Sequence, residues 1–140
     1  MFSTKGRYAL RVMIDLAQHE GEGNIPLQSI ADRQDISKKY LEIIVRELVR
    51  SGMLSGTSGK GGGYSLSRPA EEYTIGEILE LMEGTLAPVA CLEDGVDKCP
   101  RAEECATLPM WKEYYQMTRD FFYGRKLSEL AGPRDPIYYI

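Results

Sequence analysis

The feature that most constrains this chain is an amphipathic stretch over residues 36–52, ISKKYLEIIVRELVRSG. Its apolar residues recur at the spacing of one helical face, and they are Tyr40, Leu41, Ile44, Val45 and Leu48. The opposite face is mainly charged and carries Lys38, Lys39, Glu42, Ile43, Arg46 and Arg50. Ser37 suits the helix start because its hydroxyl can accept from an N–H of the first turn. The stretch predicts a helix with one buried and one basic face, a pattern that an ordinary solvated helix also shows.

Length and composition bound the fold and exclude several classes of protein. The 140 residues suit one domain, or one small domain with an appendage, and a hydrophobic fraction of 43% is ample for a core. No apolar run reaches the length of a membrane span, and Phe2 is followed by the polar residues 3–5 in place of a signal-peptide core. We therefore expect a soluble, cytoplasmic protein with no membrane partner.

The charges are unevenly distributed along the chain, although the net charge is only −4. Residues 1–70 contain 10 Lys and Arg against 7 Asp and Glu, whereas residues 71–140 contain 7 against 14. A mildly basic front half suits the binding of an anion. The acidic total argues against an indiscriminate nucleic-acid binder.

Two helices are predicted before the amphipathic helix. Residues 3–20 give the first, whose early turns are basic through Lys5 and Arg7. Pro26 opens a second, short helix with apolar residues at i, i+3 and i+4. A short helix, a tight turn at residues 34–35 and a longer helix with a basic outer face make a helix-turn-helix. The last helix of such a unit enters the major groove of DNA with its N-terminal residues first.

A β-hairpin is predicted directly after the helix-turn-helix. One strand begins at residues 53–54, the other covers residues 64–66, and the glycine-rich residues 59–63 form the tip, where positive φ angles are needed. A phosphate-binding loop is excluded because its first glycine would fall on Leu54. The hairpin is therefore predicted to be a wing with Lys60 at its tip, and an ordinary solvated hairpin is the alternative.

The segments STKGRYALRVMIDLA, ISKKYLEIIVRELVRSGML and GKGGGYSLSRP together resemble the winged-helix transcription regulators typified by the iron–sulfur cluster regulator IscR. The resemblance covers roughly residues 1–131. It implies a homodimer that binds palindromic or near-palindromic operators in double-stranded DNA, with Lys39 and Glu42 at base-reading positions. Ile43 stands where IscR has a glutamine, and Ser58 stands where its wing has an arginine, so the operator sequence does not carry over.

The predicted DNA-binding surface combines the first helix, the recognition helix and the wing. Lys39 and Glu42 are expected to read bases, whereas Arg7 and Lys60 mainly contact the DNA backbone or the minor groove. The complete predicted set is Lys5, Arg7, Ser37, Lys38, Lys39, Glu42, Arg46, Ser58 and Lys60.

A fourth helix is predicted after Thr74, because Thr74 and Glu77 have the spacing of a capping box and apolar residues follow up to Gly84. We expect it to pack against the DNA-binding domain. The predicted division is a winged helix-turn-helix domain over residues 1–70, a connecting helix and linker over 71–90, a cysteine loop over 91–107, and a dimerisation helix and tail over 108–140.

All three cysteines fall in one polar stretch, as Cys91, Cys99 and Cys105, with the spacing C-x7-C-x5-C. Free cysteine prefers buried apolar sites, so three in a polar loop indicate a shared role. Thiolate-rich sites select iron–sulfur clusters, zinc or copper(I). The residues alone leave open a cluster, zinc, thiol redox sensing and no chemistry. The resemblance favours a [2Fe–2S] cluster, because cluster-binding members of the family also have three cysteines in this loop.

Three cysteines leave the fourth ligand of such a cluster unassigned, since thiolates normally supply all four and histidine is a known replacement. IscR has a shorter first spacing and a histidine at the position of Leu108, and the nitric-oxide sensor NsrR uses an aspartate at the position of Arg7. The remaining candidates are the partner's His19, an external thiol or water, and a loop carboxylate. Those carboxylates are Glu93, Asp94, Glu103 and Glu104.

Residues 108–124 predict a last long helix with an aromatic stripe. The stripe consists of Trp111, Tyr114, Tyr115, Thr118, Phe121 and Phe122. So large an apolar face in a short chain suits a core or a second copy, and the resemblance places the dimer helix here. A short closing helix over residues 126–131 follows. The tail over residues 133–140 has no assigned role, and its ending is similar to that of CymR, a cysteine-metabolism regulator of the same family.

The sequence therefore predicts a mainly α-helical, dimeric winged helix-turn-helix repressor that senses cluster, iron, redox or nitric-oxide status through its cysteine loop. One alternative is a thiol- or partner-sensing repressor of cysteine metabolism, like CymR, without a cluster. Another is a small iron–sulfur electron carrier, against which the helix-turn-helix and wing argue. No Ser/His/Asp set, paired general acid and base, or nucleotide fingerprint occurs in the sequence, so an enzyme is not expected.

Overall fold

The computed structural model describes residues 1–95 and 99–132. Within these residues the chain forms six α-helices and a two-stranded antiparallel sheet, which confirms the predicted mainly α-helical winged fold. The elements are α1 (Thr4–Gln18), α2 (Leu27–Gln34), α3 (Lys38–Arg50), β1 (Leu54–Thr57), β2 (Gly63–Leu66), α4 (Ile75–Glu83), α5 (Leu108–Tyr123) and α6 (Leu127–Ala131). The predicted tail over residues 133–140 lies outside the described residues.

Polar side chains cap three of the helices at their starts, as the sequence predicts for two of them. The Ser37 hydroxyl accepts from the Tyr40 N–H at 3.2 Å at the start of α3. Thr74 and Glu77 form a reciprocal capping box at the start of α4. The Ser3 hydroxyl accepts from the Gly6 N–H at 3.0 Å, so α1 begins at Thr4 instead of residue 3.

One hydrophobic core runs from the helix-turn-helix to α4 and α6. α1 lies at its centre and packs against α2, α3, α4 and α6. The largest fully buried apolar side chains are Val12, Met13, Ile30, Leu41, Ile44, Val45, Leu48, Tyr73, Ile78, Leu79 and Leu127. Because the buried face of α3 belongs to this core, its opposite face is held towards solvent.

A buried carboxylate that the apolar periodicity did not reveal ties the end of α2 to α1. Asp15 is fully buried. Arg33 donates to both of its oxygens, at 2.7 and 3.0 Å, and the Gln34 side chain donates at 3.0 Å. A buried charge is tolerated when it is paired and hydrogen-bonded in this way. His19 is half-buried, with Nδ1 2.8 Å from the Asp15 carbonyl oxygen.

The wing is anchored at both of its ends. At the start of β2, Tyr64 exchanges two backbone hydrogen bonds of 2.8 and 2.9 Å with Ile25, just before α2. Gly63 permits this approach, since its φ is 144° and a Cβ there would overlap the Ile25 carbonyl. β2 therefore begins at Gly63, one residue earlier than predicted. At the base, the buried Tyr73 hydroxyl donates to the Met53 carbonyl at 2.6 Å and accepts from the Ser67 N–H at 3.0 Å.

In the described ranges, no helix combines the length and the apolar composition that crossing a membrane requires.

Candidate nucleic-acid interface and cysteine loop

α3 has three distinct faces. The buried face consists of Leu41, Ile44, Val45 and Leu48. The exposed side chains directly opposite form the outer line of α3, which we define as Lys39, Ile43, Arg46 and Arg50. A third face turns towards the wing. Since three of the four residues of the outer line are cations, the surface of α3 farthest from the core is basic.

A groove of about 600 Å³ separates α3 from the wing. On its α3 side it is lined by Lys38, Glu42, Arg46 and Val49, and on its wing side by Gly56, Thr57, Ser58 and Tyr64. The structure therefore brings four of the predicted DNA-binding residues to one concave surface: Lys38, Glu42, Arg46 and Ser58. Lys60 is exposed at the tip of the wing, between Gly59 and Gly61, whose φ angles of 87° and 77° make the tight turn.

The two residues of α1 that are predicted to contact DNA lie in different environments. Lys5, predicted to contact DNA, is half-buried and forms an ion pair of 3.1 Å with Glu47 of α3. Its charge thus joins α1 to α3. Arg7 is exposed, and its guanidinium donates to the Thr4 hydroxyl at 3.3 Å. Of the two, Arg7 is the one presented to solvent.

The three cysteines lie on the connection between α4 and α5. Cys91 is exposed in a 3₁₀ turn over Ala90–Leu92, and Cys99 and Cys105 are half-buried. All three belong to the described residues, and none of them forms a disulfide there. A hydrogen bond with the Thr107 side chain, with Sγ and Oγ1 3.5 Å apart, is the main cause that lowers the pKa of Cys105 below that of an ordinary thiol.

The three free thiols on this connection are the type of ligand that a soft metal centre prefers. The described residues do not gather these donors: nowhere in them do three His, Cys, Asp or Glu side chains lie close enough together to hold a metal ion. The candidate carboxylate ligands are likewise not gathered with the thiols in the described residues. Glu93 is half-buried, and Asp94, Glu103 and Glu104 are exposed.

α5 carries two parallel lines of apolar residues where the sequence predicted one stripe. The first line is half-buried and consists of Trp111, Tyr115, Thr118 and Phe122. Phe122, for example, makes an edge-to-face contact with Phe2, with ring centroids 5.2 Å apart. The second line is exposed, and we call it the α5 seam. It consists of Met110, Tyr114, Met117 and Phe121, which are 53%, 54%, 65% and 53% exposed.

The predicted dimer stripe therefore mixes the two lines. Tyr114 and Phe121 belong to the α5 seam, whereas the other four predicted residues belong to the half-buried line. Met110 and Met117 lie on the seam, outside the predicted stripe. The seam spacing of four, three and four residues is typical of helices that pack along a shared line.

Comparison with known proteins decides the family. A family profile described as "Rrf2: Iron-dependent Transcriptional regulator" matches residues 2–133. The chain belongs to the Rrf2 family. This agrees with the resemblance that the sequence motifs indicated, and it places the chain among DNA-binding transcription regulators and not among enzymes.

Individual members of the Rrf2 family match most of the chain. The HTH-type transcriptional regulator IscR of Pectobacterium atrosepticum is 32% identical over 133 residues, which are 95% of this chain and 80% of the relative. The structure of CymR, the global cysteine regulator of B. subtilis, is 34% identical with a TM-score of 0.79, over 96% of this chain and 98% of that one. The structure of T. potens IscR is 29% identical with a TM-score of 0.73, and the match covers 100% of this chain and 96% of that one.

Proposed function

We propose that this chain is a homodimeric repressor that reads a two-fold symmetric DNA operator and reports iron–sulfur cluster status through Cys91, Cys99 and Cys105. The observation that carries the DNA-binding part is the juxtaposition of the basic outer line of α3 with the groove and the wing. This arrangement gives one surface that can enter a major groove and grip the adjacent DNA backbone.

Residues at the start of α3 are proposed to read bases. Lys39 and Glu42 are exposed in its first turns, and the Ser37 cap fixes where those turns begin. In the major groove, lysine suits the O6 and N7 acceptors of guanine, and glutamate accepts from the N4 amino group of cytosine. The pair therefore favours G·C pairs in each half-site.

Residues around the groove are proposed to position the protein on the DNA without reading its sequence. Lys38 and Arg46 place two positive charges on the α3 side of the groove, and Lys60 extends from the wing tip. Phosphates take such contacts from lysine and arginine. Arg7, exposed at the start of α1, is proposed to add a further backbone contact, whereas Lys5 is proposed to contribute mainly through its ion pair with Glu47.

The α5 seam is proposed to pack against the same line of a second copy. Four apolar side chains that are all more than half exposed are costly to leave in water. Their spacing suits a helix-to-helix contact. A two-fold dimer would place two copies of α3 at successive major grooves, about one helical turn apart.

The cysteine connection is proposed to hold an iron–sulfur cluster, with a loop carboxylate or an external group as its fourth ligand. The similarity to IscR and the description of the Rrf2 family as iron-dependent support this assignment. When bound, such a cluster supplies a signal that depends on iron supply and redox conditions. The connection runs from Glu83 at the end of α4 to Leu108 at the start of α5. A change in the fold of this connection would therefore bias how these helices sit, and hence the spacing of the two reading heads.

A second candidate function is a thiol-sensing repressor of cysteine metabolism. The structural similarity to CymR, with a TM-score of 0.79 at 34% identity, favours it. Both candidates share the DNA-binding surface, and they differ in whether the cysteines carry iron and sulfide.

Selection of operators from random duplex DNA tests the DNA-binding part. The full-length wild type should enrich a palindromic site. The Glu42→Ala protein should enrich different bases at the positions that Glu42 contacts. It should retain the wild-type affinity for non-specific DNA. Glu71→Ala is the matched control, because Glu71 is an exposed glutamate in the turn before α4, away from α3. An enriched site that is identical for wild type and Glu42→Ala would remove Glu42 from base readout.

A further inference from the structure

Ile43 is the one apolar residue of the outer line of α3. Its side chain is 51% exposed. Lys39 lies one turn before it, Arg46 lies one turn after it, and Arg50 follows one turn later. An apolar side chain thus stands in the middle of a row of cations, on the side of α3 directly opposite the core.

The packing of the described residues gives Ile43 no role. It belongs neither to the hydrophobic core nor to the half-buried apolar residues around that core. It does not line the groove, unlike Val49, the other exposed apolar residue of α3, which lies beside Gly56 and Tyr64 of the wing. Helix propensity does not favour it either, since β-branched isoleucine is a weaker helix former than lysine, arginine or glutamate.

We infer that Ile43 is a specificity-determining residue whose side chain packs against the C5-methyl group of a thymine in each operator half-site. The inference rests on the proposed function and deepens it. Isoleucine can neither donate to a phosphate nor bond to a base edge. The thymine methyl is the one apolar group that the base pairs of DNA present in the major groove, so it is the group that such a side chain can recognise there.

The neighbours of Ile43 fix where this thymine lies. Glu42 precedes Ile43 directly, and Lys39 lies one turn earlier on the same outer surface. If these two residues contact bases, the thymine must be next to the base pairs that they read. The half-site is therefore expected to combine G·C pairs with an adjacent thymine, a pattern that Lys39 and Glu42 alone would not specify.

Removal of single methyl groups from the operator tests the inference directly. The operator selected by the wild type is synthesised with deoxyuridine in place of thymine, one symmetric pair of positions at a time, and titrated with full-length protein. Deoxyuridine differs from thymidine only by the absent methyl. At one position, the substitution should weaken wild-type binding about fourfold per half-site, the factor that burial of one aliphatic carbon supplies. Ile43→Ala, which withdraws the outer carbons of the side chain, should lose less than about twofold there.

Leu130→Ala is the matched control, since it truncates an exposed aliphatic residue of α6 that belongs neither to the outer line nor to the groove. It should keep the methyl dependence of the wild type. Equal methyl dependence of wild type and Ile43→Ala at every position would overturn the inference while leaving the proposed function intact. So would a wild type that tolerates deoxyuridine everywhere. A wild type that selects no operator at all would overturn both together.

Discussion

Glu83, the last residue of α4, accepts two hydrogen bonds of 2.8 Å from Ser3, one from its backbone N–H and one from its hydroxyl. Ser3 caps α1, so the contact joins the start of α1 to the residue from which the cysteine connection departs. The carboxylate also faces the positive end of the α1 dipole. Gly6 makes room for it, because a Cβ at that position would overlap Glu83 Oε1.

A double-mutant cycle on Gly6 and Glu83 tests this contact. Replacement of a helical glycine by alanine ordinarily stabilises a protein by about 0.5–1 kcal/mol. In the wild type, Gly6→Ala should give no such gain, because it displaces Glu83 and each lost hydrogen bond costs about 1 kcal/mol. In the Glu83→Ala background, Gly6→Ala should recover the ordinary gain. Urea unfolding of the four proteins measures the free energies, and effects that add within about 0.5 kcal/mol would contradict the contact.

The α5 seam predicts how the protein responds to a single added charge. Met117→Glu places a carboxylate in the proposed interface, where an unpaired buried charge is strongly unfavourable. We expect a folded monomer by sedimentation equilibrium at concentrations where the wild type is a dimer. Gln116→Glu introduces the same charge one residue earlier, away from the seam, and should remain dimeric. A dimeric Met117→Glu protein would exclude the seam as the interface.

Tyr115 and Phe122 show why the sequence could not separate the two apolar lines of α5. Helical periodicity identified the long apolar surface, but its buried part depends on where α4 and the N-terminus lie. Phe122 contacts Phe2, and Arg119 bonds to Glu80 of α4 at 2.8 Å, which turns the first line inwards. Glutamate at residues 115 or 122 would therefore damage the fold as well as any interface.

The Glu77 carboxylate predicts a pH dependence of stability. Burial by itself raises the pKa of Glu77, but hydrogen bonds from Thr74 and Arg68 outweigh it and hold this pKa below the ordinary value of 4.5. A carboxyl with a lowered folded pKa stabilises the fold above the unfolded pKa and loses that contribution as pH falls through the folded one. Glu77→Gln keeps a residue that suits the capping box.

Chemical unfolding from pH 7 to pH 3 measures this effect. Glu77→Gln should be less stable than the wild type at pH 7, and the difference should shrink below about pH 4.5 as the wild-type carboxylate becomes protonated. Glu71→Gln, at an exposed site nearby, is the control and should follow the wild type. A difference that stays constant over the whole range would show that the charge of Glu77 contributes nothing.

Lys60 predicts a change in the salt dependence of DNA binding. If Lys60 contacts a phosphate, Lys60→Ala should weaken binding to operator DNA and to non-specific DNA to a similar extent. It should also reduce the slope of log affinity against log salt concentration by about one per half-site. Lys112→Ala removes the same charge from an exposed position on α5 and should leave the slope unchanged. A Lys60→Ala protein with altered base preference but an unchanged slope would assign the wing tip to base readout instead.

The helix-turn-helix and the wing could be predicted because their signals are local. The Ser37 cap, the apolar spacing of α3 and the glycines around Lys60 each specify a structure within a few residues. The Asp15–Arg33 pair could not be predicted from the sequence, since the two residues are far apart in sequence and an aspartate on a helix ordinarily faces water. For the cysteines, spacing identified the donors, but their arrangement depends on the fold of the whole connection.

Metal analysis of anaerobically purified protein tests the central claim most directly. We predict that the full-length wild type is brown and contains iron and acid-labile sulfide in equal amounts. Cys99→Ala should lose both while remaining a folded dimer. A colourless wild type without sulfide would contradict the cluster and favour the thiol-sensing repressor. A Cys99→Ala protein with full iron and sulfide would show that the three cysteines do not hold the cluster.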